Sequence, residues 1–136
     1  MILTTATALL AMACGSGKDG SVTAQQPVTG IDWTVDSVTV DGTTHRAPAP
    51  AHVKIEDGRA AGSYGCNQFS ATAQVTGDEI RLSHARSTRM ACDEARMTFE
   101  RALARTLAAG PLTTRTEGRN LTLTTPGGDR VQLSRK

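Results

Sequence analysis

The chain has 136 residues, a formal net charge of +2 and only 3% aromatic side chains. That length fits one domain with a single core, which has to be assembled mostly from Val, Leu, Ile, Ala and Met. Basic and acidic residues are interspersed with no basic run, which argues against nucleic acid as a partner.

Met1 to Ala13 are uncharged and mostly apolar. The stretch is too short to span a bilayer, which takes about 20 residues as a helix. It reads as a signal peptide over residues 1–13, with the small residues of Ala11-Met12-Ala13 preceding Cys14. This is the leader pattern of bacterial lipoproteins, in which such a cysteine is acylated and becomes the new N-terminus. Two departures are that Ala11 stands where leucine is usual and that no Lys or Arg precedes the apolar run. The expectation is an exported protein held on the outer face of the cell membrane through a lipid anchor at Cys14. An ordinary secretory leader is the alternative. Residues 14–30 are rich in Gly, Ser, Thr, Gln and Lys, a composition that predicts a flexible tether. With about 0.8 kcal/mol per buried methylene, two or three acyl chains hold firmly where one does not.

A folded domain is expected over residues 31–135, beginning with short strands divided by Gly, Asp and Pro turns. Trp33 and Val35 alternate, but Val38 and Val40 fall on the opposite parity, which predicts a bulge near Asp36-Ser37. Asp41-Gly42 ends that strand, and Ala47-Pro48-Ala49-Pro50 is a loop. Val53 and Ile55 alternate before a tight hairpin turn at Asp57-Gly58. Phe69, Ala71, Ala73 and Val75 keep a strict period of two, and Thr76-Gly77-Asp78 turns the chain into Ile80 and Leu82. The small side chains of Ala71 and Ala73 leave room for another element or for a cavity. One helix follows, capped by Asp93 and stopped by Gly110-Pro111. Phe99, Leu103 and Leu107, with Ala95 and Ala102, form its apolar face, while Arg96, Glu100, Arg101 and Arg105 face elsewhere. Three strands close the chain at Leu112–Thr116, Leu121–Thr125 and Arg130–Ser134. The resulting fold class is α+β: a meandering antiparallel sheet with one amphipathic helix packed on it.

Cys66 and Cys92 sit in the two most distinctive segments. In an exported protein they can form a disulfide, which would stabilise the fold by about 3–4 kcal/mol in the chain-entropy view. Two buried thiols are the bland alternative, and a redox pair lacks the Cys-x-x-Cys spacing. A metal site would need Cys66 and Cys92 with His84 as a third ligand, and there is no close ligand pair among them. His84 continues the parity of Ile80 and Leu82 and is expected to point inward. Gly62 and Gly65 read as bulge or positive-φ positions, and Asn67 tolerates similar geometry. The functional alternative is that they let a ligand or peptide approach the backbone. Ser63 falls one place early for a nucleophile elbow, and no phosphate loop or dinucleotide fingerprint is present. No catalytic residue, metal or cofactor is therefore assigned.

These segments carry a resemblance. Gly58-Arg59, Gly62 and Gly65-Cys66-Asn67-Gln68-Phe69, then Thr88-Arg89-Met90-Ala91-Cys92, then Glu100 with Leu103 and Leu107, are similar to the META domain of HslJ-like proteins. Trp33, the Leu121-Thr122-Leu123 strand and the Gly127-Gly128 turn also fit, so the likeness covers about Gly30 to Leu133. Ala71 departs from it, standing where the family usually has glycine. The resemblance implies an antiparallel sheet of about seven or eight strands, curved into a partial barrel, with the helix packed against it. It also implies a bacterial envelope lipoprotein or secreted protein, with links to heat shock and antibiotic tolerance and no established activity or cofactor. The functional expectation is a non-catalytic, monomeric envelope lipoprotein that works in stress tolerance or envelope maintenance by binding another protein. The second expectation is a small-molecule or lipid carrier using a cavity between sheet and helix.

Overall fold

The computed structural model describes residues 27–136. The signal peptide at residues 1–13, Cys14 and the tether as far as Gln26 lie outside the described residues. Nine antiparallel strands are present among the described residues: β1 (Asp32–Val40), β2 (Thr43–Arg46), β3 (His52–Glu56), β4 (Arg59–Ser63), β5 (Gln68–Thr76), β6 (Glu79–Ser87), β7 (Leu112–Glu117), β8 (Asn120–Thr124) and β9 (Arg130–Ser134). One helix, α1 (Glu94–Leu107), lies between β6 and β7.

From β3 to β9 each strand pairs with the next in sequence. The sheet then closes through β1, which pairs with β3 over Asp32–Thr34 and with β9 over Thr34–Thr39. Eight strands thus form a complete ring, a fuller closure than a partial barrel, and closure removes the open edges that invite aggregation. The ninth strand, β2, pairs with Ser37–Val40 of β1. Since β9 occupies the other edge of β1 there, β2 shares the edge used by β3 and stands outside the ring.

The bulge in β1 falls where the parity change predicts it. Val35 pairs with Leu133 and Ser37 with Gln132, leaving Asp36 without a partner in that ladder. The extra residue lets both Val35 and Val38 reach the core, where they are buried with Trp33, Val53, Ile55, Ile80, Leu112, Leu121, Leu123, Val131 and Leu133. Side chains of this size each contribute about 1.5–3 kcal/mol on full burial. Asp41-Gly42 and Asp57-Gly58 have positive φ at both residues, the backbone that two-residue hairpin loops require. Residues 27–30, read from composition as the end of the tether, contact the barrel. The Trp33 indole N–H donates to the Val28 carbonyl at 2.9 Å, and the Gly30 amide donates to the Ile55 carbonyl at 2.8 Å.

Helix α1 begins at Asp93, whose carboxylate accepts from the Arg96 amide at 3.4 Å. Glu94 sits favourably in the first turn, and Gly110 leaves the helix at φ 97° before Pro111. Phe99, Leu103 and Leu107 are buried as expected, and Ala102 is partly buried. Three expectations need correction. Ala95 is exposed, because it lies in the first turn before the helix meets the barrel. Glu100 points inward and is 8% exposed. Val75 continues the strand alternation but is 46% exposed, one residue before the end of β5.

His84 is also corrected: it is exposed rather than inward. Thr72 pairs with Ser83 and Ser70 with Arg86, so His84 and Ala85 together face Ala71. This second bulge puts His84 at φ 55° and leaves the residue exposed. A left-handed conformation is unfavourable for a residue with a Cβ, by about 1–2 kcal/mol. His84→Gly is therefore expected to stabilise the domain, by about 0.5–1 kcal/mol once the freer unfolded chain is subtracted. Thermal melting checks this, and a lowered midpoint would contradict it.

Candidate functional site

The family-like residues converge where the loop between β4 and β5 meets the segment leading into α1. Gly65, at φ 113°, turns the chain in a conformation that strongly favours glycine. The turn is held by the Tyr64 amide donating to the Asn67 carbonyl at 2.8 Å and the Gly65 amide donating to Ser63 Oγ at 3.0 Å. Gly62 serves differently from the expected bulge or positive-φ role. It pairs regularly with Val53 and Phe69, and a Cβ there would overlap the His52 carbonyl. Close approach of neighbouring backbone requires glycine at that position.

Cys66 and Cys92 form a disulfide with their Cα atoms 6.1 Å apart. Of the fates open to these cysteines, the structure has the bridge. Directly beside it Asn67, 2% exposed, holds three segments together. Its backbone N–H donates to Glu100 Oε1 and its Nδ2 to Glu100 Oε2, both at 2.7 Å. Nδ2 also donates to the Met90 carbonyl at 3.1 Å. Its Oδ1 accepts from the Met90 amide at 2.6 Å and from Thr88 Oγ1 at 2.8 Å. The Gln68 amide in turn donates to Thr88 Oγ1 at 3.1 Å. The side chain of Asn67 thus meets two acceptors with its amide nitrogen and two donors with its oxygen, which fixes its orientation.

Glu100 is the site residue that a charged-outside reading of the helix misses. The signal was its position: Glu100 precedes Leu103 by three residues and Leu107 by seven, on the flank of the apolar stripe. Burial of a carboxylate is tolerable when its oxygens are hydrogen-bonded, and Asn67 supplies a donor to each. Met90 contributes only backbone groups, its side chain being 60% exposed. Ala91 is exposed, and nothing in the structure explains an alanine there.

Tyr64 and Phe69 stack beside this network, with ring centroids 4.2 Å apart and planes within 5°. Burial raises the Tyr64 phenol above its usual range, and the nearby Glu100 charge raises it further. A raised pKa in the folded state means that the unfolded chain loses this proton first. Stability from this group is therefore complete below about pH 10 and declines as pH rises above it. Tyr64 is the only tyrosine in the chain, so absorbance of the tyrosinate reports it alone. The expected titration of the folded protein lies above that of the unfolded protein in denaturant, and Tyr64→Phe abolishes the alkaline destabilisation. Coincident titrations would refute the shift.

The space beside these rings, lined by Tyr64, Phe69, Ala71, Leu82, His84 and Leu107, measures about 60 Å³. Ligand pockets for small molecules run to roughly 300–1,000 Å³, so this space beside Ala71 is too small for a lipid. No group of three or more His, Cys, Asp or Glu gathers among the described residues.

The fold and this junction define a class: a small closed antiparallel barrel with one helix, joined by a disulfide and a buried Asn–Glu clasp. The META domain family model matches residues 26–136, and the chain belongs to the META domain family. A protein from Burkholderia xenovorans with an NMR structure is similar, with 19% identity and a TM-score of 0.68 over 90% of this chain and 99% of the other. A second NMR structure has 18% identity and a TM-score of 0.59 over 77% of this chain and 89% of its own. At such identities the likeness concerns the fold. No curated protein matches the sequence at a significant level.

Proposed function

We propose that this META-domain protein is a non-catalytic, membrane-tethered binding module of the bacterial envelope, serving envelope maintenance or stress tolerance by holding a protein partner. The observation that carries this reading is the internal saturation of the motif. Both Glu100 oxygens accept from Asn67, and both Asn67 side-chain heteroatoms make two bonds. A buried carboxylate engaged at both oxygens is poorly placed to take a proton from a substrate. The motif holds the scaffold together and leaves the outer surface for contact. The Cys66–Cys92 bridge supports export, because disulfides persist in oxidising compartments. Cys14 and its apolar leader support an anchor there.

Cell fractionation tests the tether. The native chain is expected in the membrane pellet and the Cys14→Ser variant in the soluble fraction. A variant recovered wholly in the pellet would overturn the anchor. Cross-linking in intact cells tests the binding role, with one specific protein recovered at stoichiometric yield as the expected result.

A further inference from the structure

We propose that the groove between α1 and the β1–β2 hairpin is the docking site for an extended acidic segment of the partner protein. This rests on the binding-module reading and names the surface and the chemistry of its occupant. The groove has a volume of about 680 Å³ and is lined by Val40, His45, Thr98, Arg101, Ala102, Ala104 and Arg105. Val40, Ala102 and Ala104 are its apolar residues, Arg101 and Arg105 are its charged residues, and no carboxylate lines it.

The charge is unbalanced for a reason visible in the fold. Glu100 is the acidic residue nearest in sequence to Arg101 and Arg105, and it is turned into the barrel to meet Asn67. Arg101 and Arg105 take no part in the ion pairs His52–Asp32, Lys54–Glu56 and Arg96–Asp93. Two like charges four residues apart on one helix repel. A ligand bearing carboxylates would relieve that repulsion, and a basic ligand would aggravate it.

The second observation is the open edge of β2. Among the described residues β2 pairs only with β1. The two-residue turn at Asp41-Gly42 makes Val40–Thr43 a hydrogen-bonded pair and Val38–His45 the next. The backbone N–H and C=O groups of Thr44 and Arg46 therefore point away from β1. A peptide laid along that edge gains main-chain hydrogen bonds. His45, from the same strand, lines the groove. Every second side chain of such a strand faces the groove, so a carboxylate at one of these positions can meet the arginines while a small apolar side chain at the next fills the apolar part. Open backbone groups beside a concave groove favour a peptide over a flat anionic membrane.

The test uses the full chain carrying Cys14→Ser and a fluorescein-labelled octapeptide whose first, third, fifth and seventh residues alternate between glutamate and valine, with serine at the other positions. The same octapeptide with lysine in place of glutamate is the control. Anisotropy is expected to show binding of the acidic peptide alone, weakened about tenfold or more by Arg101→Glu with Arg105→Glu and by raised salt. Amide shifts are expected at Thr44, Arg46 and Thr98 through Arg105. Thr44→Pro removes one outward donor and is expected to weaken binding while the thermal midpoint of the arginine variant stays at the parent value. Equal binding of both peptides, binding unchanged by the arginine variant, or none at millimolar peptide would overturn the proposal. So would binding to phosphatidylglycerol vesicles without binding to the peptide. In cells, a cross-linked partner retained by the arginine variant sinks the groove and leaves the module reading intact. Peptide binding with no partner recovered from cells does the reverse.

Discussion

Asn67→Ala is expected to destabilise the domain by about 3–5 kcal/mol, the range in which a buried network loses its hub. The substitution removes four side-chain hydrogen bonds at once. It also strands Glu100 Oε2 and the Met90 amide away from partners, and unpaired buried groups cost about 1–3 kcal/mol each. Two further substitutions separate this from simple loss of volume. Asn67→Asp keeps the shape but sets a carboxylate against Glu100 Oε2 and the Met90 carbonyl, so it is expected to be at least as harmful as alanine. Glu100→Gln keeps one acceptor for the Asn67 amide but opposes an NH2 to Asn67 Nδ2. Asn67 has no flip to offer in reply, because its oxygen is held by Met90 and Thr88. That variant is expected to lose about 2–3 kcal/mol, the worth of a hydrogen bond to a charged group plus the mismatch. Guanidinium unfolding followed by the single tryptophan, buried Trp33, measures all three. The expected pattern is a lower midpoint with an unchanged slope. A loss below about 1 kcal/mol for Asn67→Ala would show that the clasp does not hold the helix junction.

The same residues show what was legible beforehand. Local signals were reliable: the parity change in β1, the Asp-Gly turns, and the cap and stop of α1 all follow from the chain within a few residues of each feature. Readings that depend on distant partners were not. Gly62 reads as a bulge or positive-φ glycine because its constraint, the His52 carbonyl, arrives from the neighbouring strand. His84 kept the inward parity in sequence, and only the pairing of β5 with β6 reveals the bulge that ejects it. Glu100 reads as solvent-facing by chemistry and as core-flanking by position, and the donors that decide the matter lie on Asn67, 33 residues earlier. Strand β2, Thr43–Arg46, carries no large apolar residue and so gave no alternation to read. A strand held at the rim by one hairpin has little need of one.

The bridge between Cys66 and Cys92 is expected to contribute about 3.5 kcal/mol, from closing a loop with a sequence separation of 26 residues. Reduction with dithiothreitol, or Cys66→Ser with Cys92→Ser, should lower the guanidinium midpoint accordingly. The bridge and the Asn67 clasp join the same two segments, since Cys66 precedes Asn67 and Cys92 follows Met90 by two residues. Their losses are therefore expected to be less than additive. With the bridge intact, Asn67→Ala leaves the orphaned groups trapped beside one another. With the bridge gone as well, the segment from Thr88 to Asp93 can lift away and let those groups reach water, a local opening that limits the penalty. The triple variant is expected to retain about 1 kcal/mol more than the sum of its parts predicts, within the range measured for coupled neighbours. Hydrogen exchange gives the matching local readout: reduction should speed the Asn67 and Met90 amides before those of Leu121 and Leu133 in the barrel. An unchanged midpoint on reduction would mean that the clasp alone fixes the junction. Free thiols at both cysteines in protein taken from cells would show that the bridge is not used.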